Sequence, residues 1–252
     1  MPCRYCGQNR KLVEAHILPR SFYKHLRTDG DIPIVVPHAD DEYIQKSHTG
    51  VYDREILCEV CEPKFGDVDG YGKRFFLDTD WEAARRHPEL GERLIEIRDA
   101  DNRLLKLFVL SVLLRAHWTT QSFFAHVDIG RHEHEIKDML ERGDAGDQSR
   151  YGVVIFKFRP TGSDVDPRLG WRNPAEMRSD GIRFWNLWFL DFRIAIKVDQ
   201  RPLLEPFTKF ALNPGKEVRV LMQDYMSSRE LQAILSTTRA REDADSRRRR
   251  RG

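Results

Sequence analysis

The chain lacks any apolar run long enough to cross a bilayer. Its longest, Leu107 to Leu114, is interrupted by Ser111 and bounded by Lys106 and Arg115, whereas a span needs about 20 apolar residues. It has no apolar leader behind Met1, because Cys3 and Arg4 follow at once, so the expected location is the cytoplasm and no membrane partner is expected. It has little excess of either charge. The 42 basic and 40 acidic residues leave +2, too balanced to mark the whole chain as a nucleic-acid binder. No internal repeat and no phosphate-cradling glycine loop is present. What it does have is 40% hydrophobic and 33% charged residues, which exclude a disordered, collagen-like or membrane-bundle chain. Its 252 residues suffice to bury a core without disulfides.

Cysteine is scarce, and its placement is informative. Cys3, Cys6, Cys58 and Cys61 form two Cys-x-x-Cys pairs with none left over. In a reducing compartment, two such pairs read as one tetrahedral zinc site. Four thiolates leave no open ligand position, so the zinc folds the module and does no chemistry. A redox pair needs only one Cys-x-x-Cys in a strand-to-helix context. Two disulfides would need a secreted protein.

Gly7 closes the first knuckle, and Lys11 to Leu18 reads as a strand stopped by Pro19. A long loop is expected from Thr28 to Gly50. A helix is expected to begin within the second knuckle and run past Glu62 towards Phe65.

This order resembles the zinc-supported HNH endonuclease family, with its ββα-metal core. The matching residues are Cys3-x-x-Cys6-Gly7, Ala15-His16-Ile17-Leu18-Pro19, Gly50-Val51-Tyr52-Asp53 and Leu57-Cys58-x-x-Cys61-Glu62. The resemblance covers about residues 1–72. It implies that His16 is a general base, taking a proton from the water that attacks a phosphodiester. An imidazole titrating near neutrality suits that task. It also implies one catalytic Mg²⁺ or Mn²⁺, stabilising charge on the phosphate and the leaving oxygen. The residue before the base is Ala15, which cannot bind a metal. The candidate ligands are therefore Asp53 and Glu62, with Glu14 sharing a strand face with His16. Asp53 also reads as a turn or helix cap, Glu62 as a first-turn helix acid, and His16 as a buried strand histidine. His38 and His48 read as surface histidines. Arg20 is a candidate phosphate contact.

The fold expected is α+β: a small zinc-stapled ββα-metal module (1–72), then an α+β domain (73–240) and an Arg-rich tail (241–252). Within 73–240, helices fill 73–145, a mainly antiparallel sheet of about five strands fills 151–222, and a helix capped by Ser227 and Glu230 fills 227–240. Asp101 or Asn102 should start one helix, and Arg131 to Arg142 should form another, stopped by Gly143. His132 and His134 diverge at i, i+2 and read as a solvated face. Asn213-Pro214-Gly215 signals a hairpin between 207–212 and 217–222. Trp171, Trp185, Trp188 and Phe189 read as core packing, with base stacking as the alternative.

Two functions follow. One is a metal-dependent endonuclease acting on DNA, or on RNA, of the kind the resemblance places in restriction or phage defence. It would act as a homodimer or with an activating protein partner. The other is a non-catalytic zinc module binding nucleic acid or a protein. Residues 1–72 favour the second, with 9 basic and 12 acidic residues, because an acidic surface attracts phosphate poorly.

Overall fold

The computed structural model describes residues 1–28, 34–36, 45–46, 50–159 and 170–224. His38, His48, the helix expected over 227–240 and the Arg-rich tail lie outside the described residues. Among the described residues the chain is mixed α+β, with four α-helices and a large, mostly antiparallel sheet. No helix among the described residues is long and apolar enough to cross a membrane.

The N-terminal part runs β1 (Leu12–His16), α1 (Arg20–Thr28), β2 (Ile34–Val36), β3 (Gln45–Lys46), β4 (Tyr52–Cys58) and α2 (Gly66–Leu77). β1 and β4 pair antiparallel. Residues 20–28 form a helix that no motif or period marks, and its Phe22 and Tyr23 are buried. Two expectations are corrected here. The loop expected from Thr28 to Gly50 contains the short strands β2 and β3. The second knuckle carries no helix: β4 runs into Cys58, a turn follows, and a 3₁₀ turn spans Glu62–Phe65 before α2 begins. The turn is needed because Cys58 and Cys61 must both face one point, and the Cys61 N–H bonds back to the Cys58 carbonyl at 2.9 Å.

The rest of the chain contributes β5 (Arg85–His87), β6 (Gly91–Ile97), α3 (Asn102–Trp118), α4 (His132–Arg142), β7 (Val153–Arg159), β8 (Gly170–Arg172), β9 (Ala175–Ser179), β10 (Ile182–Phe189), β11 (Phe192–Lys197) and β12 (Val218–Asp224). Seven strands form one sheet in the order β5-β6-β12-β7-β11-β10-β9. Only β12 with β7 is a parallel pair in it. β3, β2 and β8 form a separate small sheet.

The helix starts and stops follow the expected chemistry. The Asp101 carboxylate caps α3 by accepting from the Leu104 N–H at 2.9 Å. Gly143 ends α4 at φ 64°, a left-handed conformation that costs glycine little. Four local expectations are corrected. β5 and β6 are strands where helix was expected; β6 holds Leu94, Ile95 and Glu96 buried in succession, which breaks the alternation that marks a strand. Residues 170–172 and 175–179 are strands within the stretch from Arg159 to Gly181, whose Pro, Gly, Asp and Arg content reads as a long loop. The hairpin about Asn213-Pro214-Gly215 does not form, because Phe207–Lys209 is a 3₁₀ turn and β12 pairs with β6 and β7 instead. His132 is buried, while its neighbour His134 is exposed.

α3 is buried on most of its surface and forms the centre of the main core. That core is continuous from Cys3 and Tyr5 through Phe22, Phe76 and Phe108 to Phe189 and Val220. Gly72 of α2 is where the two helices meet most closely: a Cβ there would lie 2.5 Å from the Phe108 ring of α3. The opposite face of the sheet holds a smaller cluster around Val154, Ile182, Phe184 and Leu203. β10 alternates between the two, with Trp185, Leu187 and Phe189 in the main core.

Candidate metal centre and active site

The ligand atoms of Cys3, Cys6, Cys58 and Cys61 all lie within 4.8 Å of one another, and no cysteine is oxidised. The Cys6 and Cys58 sulfurs are 3.9 Å apart, and a tetrahedral zinc with Zn–S near 2.3 Å sets sulfurs about 3.8 Å apart. The backbone completes the cradle. The Cys58 N–H points at the Cys3 sulfur at 3.3 Å, and the Gly7 N–H bonds to the Cys3 carbonyl at 2.8 Å. Burial opposes a Cys58 thiolate, but hydrogen bonds from the Val60 and Cys61 backbone and from neighbouring thiols bring its pKa down to about 7. The four-cysteine cluster can therefore bind a metal ion such as zinc.

Tyr5, between the first two ligands, fixes the cluster to the rest of the molecule. Its ring packs edge-on against Phe65 at 5.4 Å and Trp118 of α3 at 6.1 Å.

The pairing of β1 with β4 sorts the expected site residues onto two faces. Ala15 lies opposite Asp53, and both are buried. His16 lies opposite Tyr52, and both are half-exposed, with their rings 5.6 Å apart. Because cross-strand partners share a face and successive residues alternate, His16 and Asp53 project to opposite sides. Glu14 shares the outer face with His16 and pairs with Arg54 at 3.1 Å. Arg54 in turn lies over the Tyr52 ring at 5.5 Å.

Asp53 is wholly enclosed and fully engaged. Its Oδ1 accepts from the Glu55 N–H at 2.7 Å, and its Oδ2 accepts from the Thr119 hydroxyl, the Thr120 N–H and the Thr120 hydroxyl. Burial alone would raise its pKa; the four donors outweigh that and lower it. Asp53 is thus a clamp between β4 and the end of α3. Glu62 is half-buried at the start of its 3₁₀ turn, and Arg20 is exposed at the first residue of α1. Among the described residues, the four cysteines are the one group of three or more His, Cys, Asp or Glu side chains that meets as metal ligands do. His16, Asp53, Glu62 and Glu14 are not brought together in that way.

Arg115 is a site residue that the motifs do not mark. It is one of two buried cations on the largely apolar α3, which is the signal that would have found it. Its guanidinium makes two bonds to Asp69 of α2, at 2.9 and 2.6 Å, and donates to the His16 carbonyl at 3.0 Å. It also lies over the Phe65 ring at 5.1 Å. One side chain thereby sets the end of β1, α2 and α3 relative to each other. Trp185 and Phe189 are core residues, and Trp188 is half-buried beneath Arg172 at 5.3 Å, while the side chain of Trp171 lies outside what the structure describes.

Comparison with protein-family models, curated proteins and solved structures finds no match. The HNH resemblance therefore rests on the motifs alone.

Proposed function

We propose that the chain is an HNH-type endonuclease, hydrolysing phosphodiester bonds of DNA, with His16 as the general base. One observation carries this reading. His16 stands on the outer, half-exposed face of an antiparallel β1–β4 pair that is flanked by a four-cysteine cluster and followed by a helix. The cluster would hold structural zinc. Arg115 fixes the backbone of the base, and Tyr52 supports its ring. The imidazole accepts a proton from the attacking water, and the exposed Arg20 contacts the nucleic-acid backbone. A divalent ion, Mg²⁺ or Mn²⁺, would supply charge stabilisation at the phosphate. Asp53 is consumed by its own hydrogen bonds, which leaves Glu14 and Glu62 as the carboxylates available to such an ion. Cutting both strands at one place requires a homodimer or a protein partner. A role in restriction or phage defence rests on the resemblance.

A second reading has its own support: a zinc module that binds nucleic acid or a protein without cutting. The enclosure of Asp53 and the absence of a second ligand cluster among the described residues favour it.

Cleavage of supercoiled plasmid in Mg²⁺ and in Mn²⁺ separates the two. The nuclease reading expects cleavage by the wild type and a loss of at least a hundredfold in His16→Ala with zinc content unchanged. No cleavage in either metal, with or without a protein partner, sinks it in favour of the binding module.

A further inference from the structure

The loop entering α4 and the turn following β11 face each other across a cleft of about 430 Å³. Its walls carry four arginines (Arg131, Arg178, Arg183 and Arg201) together with His132 and one carboxylate, Asp199. The charges are unevenly matched. Arg183 and Arg178 share Glu176, at 3.0 and 3.5 Å. Arg201 pairs with Asp199 at 2.5 Å, and Asp199 also accepts the backbone N–H groups of Arg183 and Arg201. Two carboxylates thus serve three guanidinium groups. Arg131, exposed at the start of α4, has no ion-pair partner among the described residues.

One further detail points to a ligand. His132 is 8% exposed, and its Nδ1 sits 2.9 Å from the Tyr151 hydroxyl. That hydroxyl donates to Glu135 at 2.6 Å, so its oxygen accepts from Nδ1–H. The tautomer is fixed from behind, and Nε2 is the nitrogen left for the cleft. The N-terminus of α4, an 11-residue helix with no side-chain cap, opens on the same space.

We propose that this cleft binds a phosphate group, either one of a nucleic-acid backbone or a free phosphomonoester. Guanidinium groups match phosphate oxygens with paired N–H donors. Asp199 and Glu176 are positioning residues: they hold Arg201 and Arg183 in place without neutralising the set. The inference does not depend on catalysis at His16.

The test uses the full chain and inorganic phosphate. Arg131 and Arg178 are both exposed, so the double variant Arg131→Ala, Arg178→Ala leaves the core untouched. Phosphate should raise the wild-type melting temperature saturably, beyond sodium chloride of equal ionic strength, and the rise should vanish in the double variant. No saturable rise in the wild type, or an equal rise in the double variant, overturns the proposal. Two further arms identify the source. A backbone phosphate is assigned if affinity for a short DNA duplex falls about tenfold and the slope of log affinity against log salt shrinks by about one per lost contact. A free phosphomonoester is assigned if duplex affinity is unchanged and adenosine monophosphate reproduces the phosphate-induced rise. Neither readout uses cleavage, so the outcome stands apart from that of the His16 experiment.

Discussion

Asp53 and Thr120 are joined twice, through the Thr120 N–H at 2.7 Å and its hydroxyl at 3.0 Å. The first residue comes from the strand that delivers Cys58, the second from the segment just beyond α3. With the Thr119 hydroxyl as a third link, this is a polar fastening between the cysteine-bearing hairpin and the rest of the chain, beside that from Arg115 to the His16 carbonyl. It explains why a carboxylate is tolerated at full burial: every donor around it is satisfied by it, and it by them.

Replacing Asp53 by Ala leaves the Thr119 hydroxyl and the Thr120 and Glu55 N–H groups without their acceptor. Of these donors only Thr119 is on a buried residue, and a stranded buried donor costs about 1–3 kcal/mol, so Asp53→Ala should lower stability by about 1–3 kcal/mol in urea titration. A loss under 1 kcal/mol would show that water replaces the carboxylate and that the clamp is dispensable.

The same carboxylate sets an acid limit. Its pKa in the folded chain is lowered, so its contribution is fully present above the unfolded carboxylate value, about 3.9. That contribution is lost as pH falls through the lower folded value. Urea midpoints measured from pH 7 to pH 3 should therefore fall less steeply below pH 4 in Asp53→Asn than in the wild type. Parallel curves would remove Asp53 from the acid response.

Metal removal should act on more than the hairpin. Because Tyr5 packs against Trp118, loosening the knuckle should shift tryptophan emission as well as expose thiols. The protein as purified is expected to carry one zinc per chain, with four thiols that react with a thiol reagent only after chelation. Structural zinc contributes on the order of 10 kcal/mol to small modules, so Cys61→Ser should lose the metal and unfold the N-terminal part. Four thiols reacting at once in the untreated protein would refute a bound metal.

Lys106 sets a second pH window, at the alkaline end. It is fully buried on α3 and donates to the Asp147 and Arg150 carbonyls. Desolvation brings its pKa down to about 7. Between that value and the ordinary lysine range near 10.4 the unfolded chain binds more protons than the folded one, so stability should rise with pH across this window. Guanidinium midpoints from pH 6.5 to 9.5 should show the rise in the wild type and a flatter profile in Lys106→Met. Lys106→Met should also be less stable at pH 9, because two carbonyls lose their donor.

The metal cluster was legible because its signal is covalent spacing: two Cys-x-x-Cys pairs have few other uses in a chain with no further cysteine. α3 and α4 were legible from the Asp101 cap and the Gly143 stop, and β7, β10 and β11 from their runs of β-branched and aromatic residues. β6 was not, because Glu96 is buried there among Arg85, His87 and Arg219, and a buried carboxylate erases the alternation. α1 was hidden for a similar reason. It follows a proline directly, and its two buried aromatics, Phe22 and Tyr23, are adjacent and give no helical period. At the candidate site, motif matching found His16 but could not assign Asp53. Whether a carboxylate faces a metal or a threonine depends on what the chain brings back from residues 119 and 120. Arg115 escaped for the same reason, since its partners lie on β1 and α2, 46 and more residues away.

The position of β12 bears on how the chain is made. It is the last described strand, yet it sits between β6 and β7, with its antiparallel and parallel partners on either side. Until residue 224 has left the ribosome, the β5–β6 pair and the β7-to-β9 block each present an open edge where β12 belongs. Unpaired edges of this kind recruit foreign strands. Closure of the sheet is therefore a late event in biogenesis, and a nascent chain stalled before residue 218 is the species most in need of a chaperone.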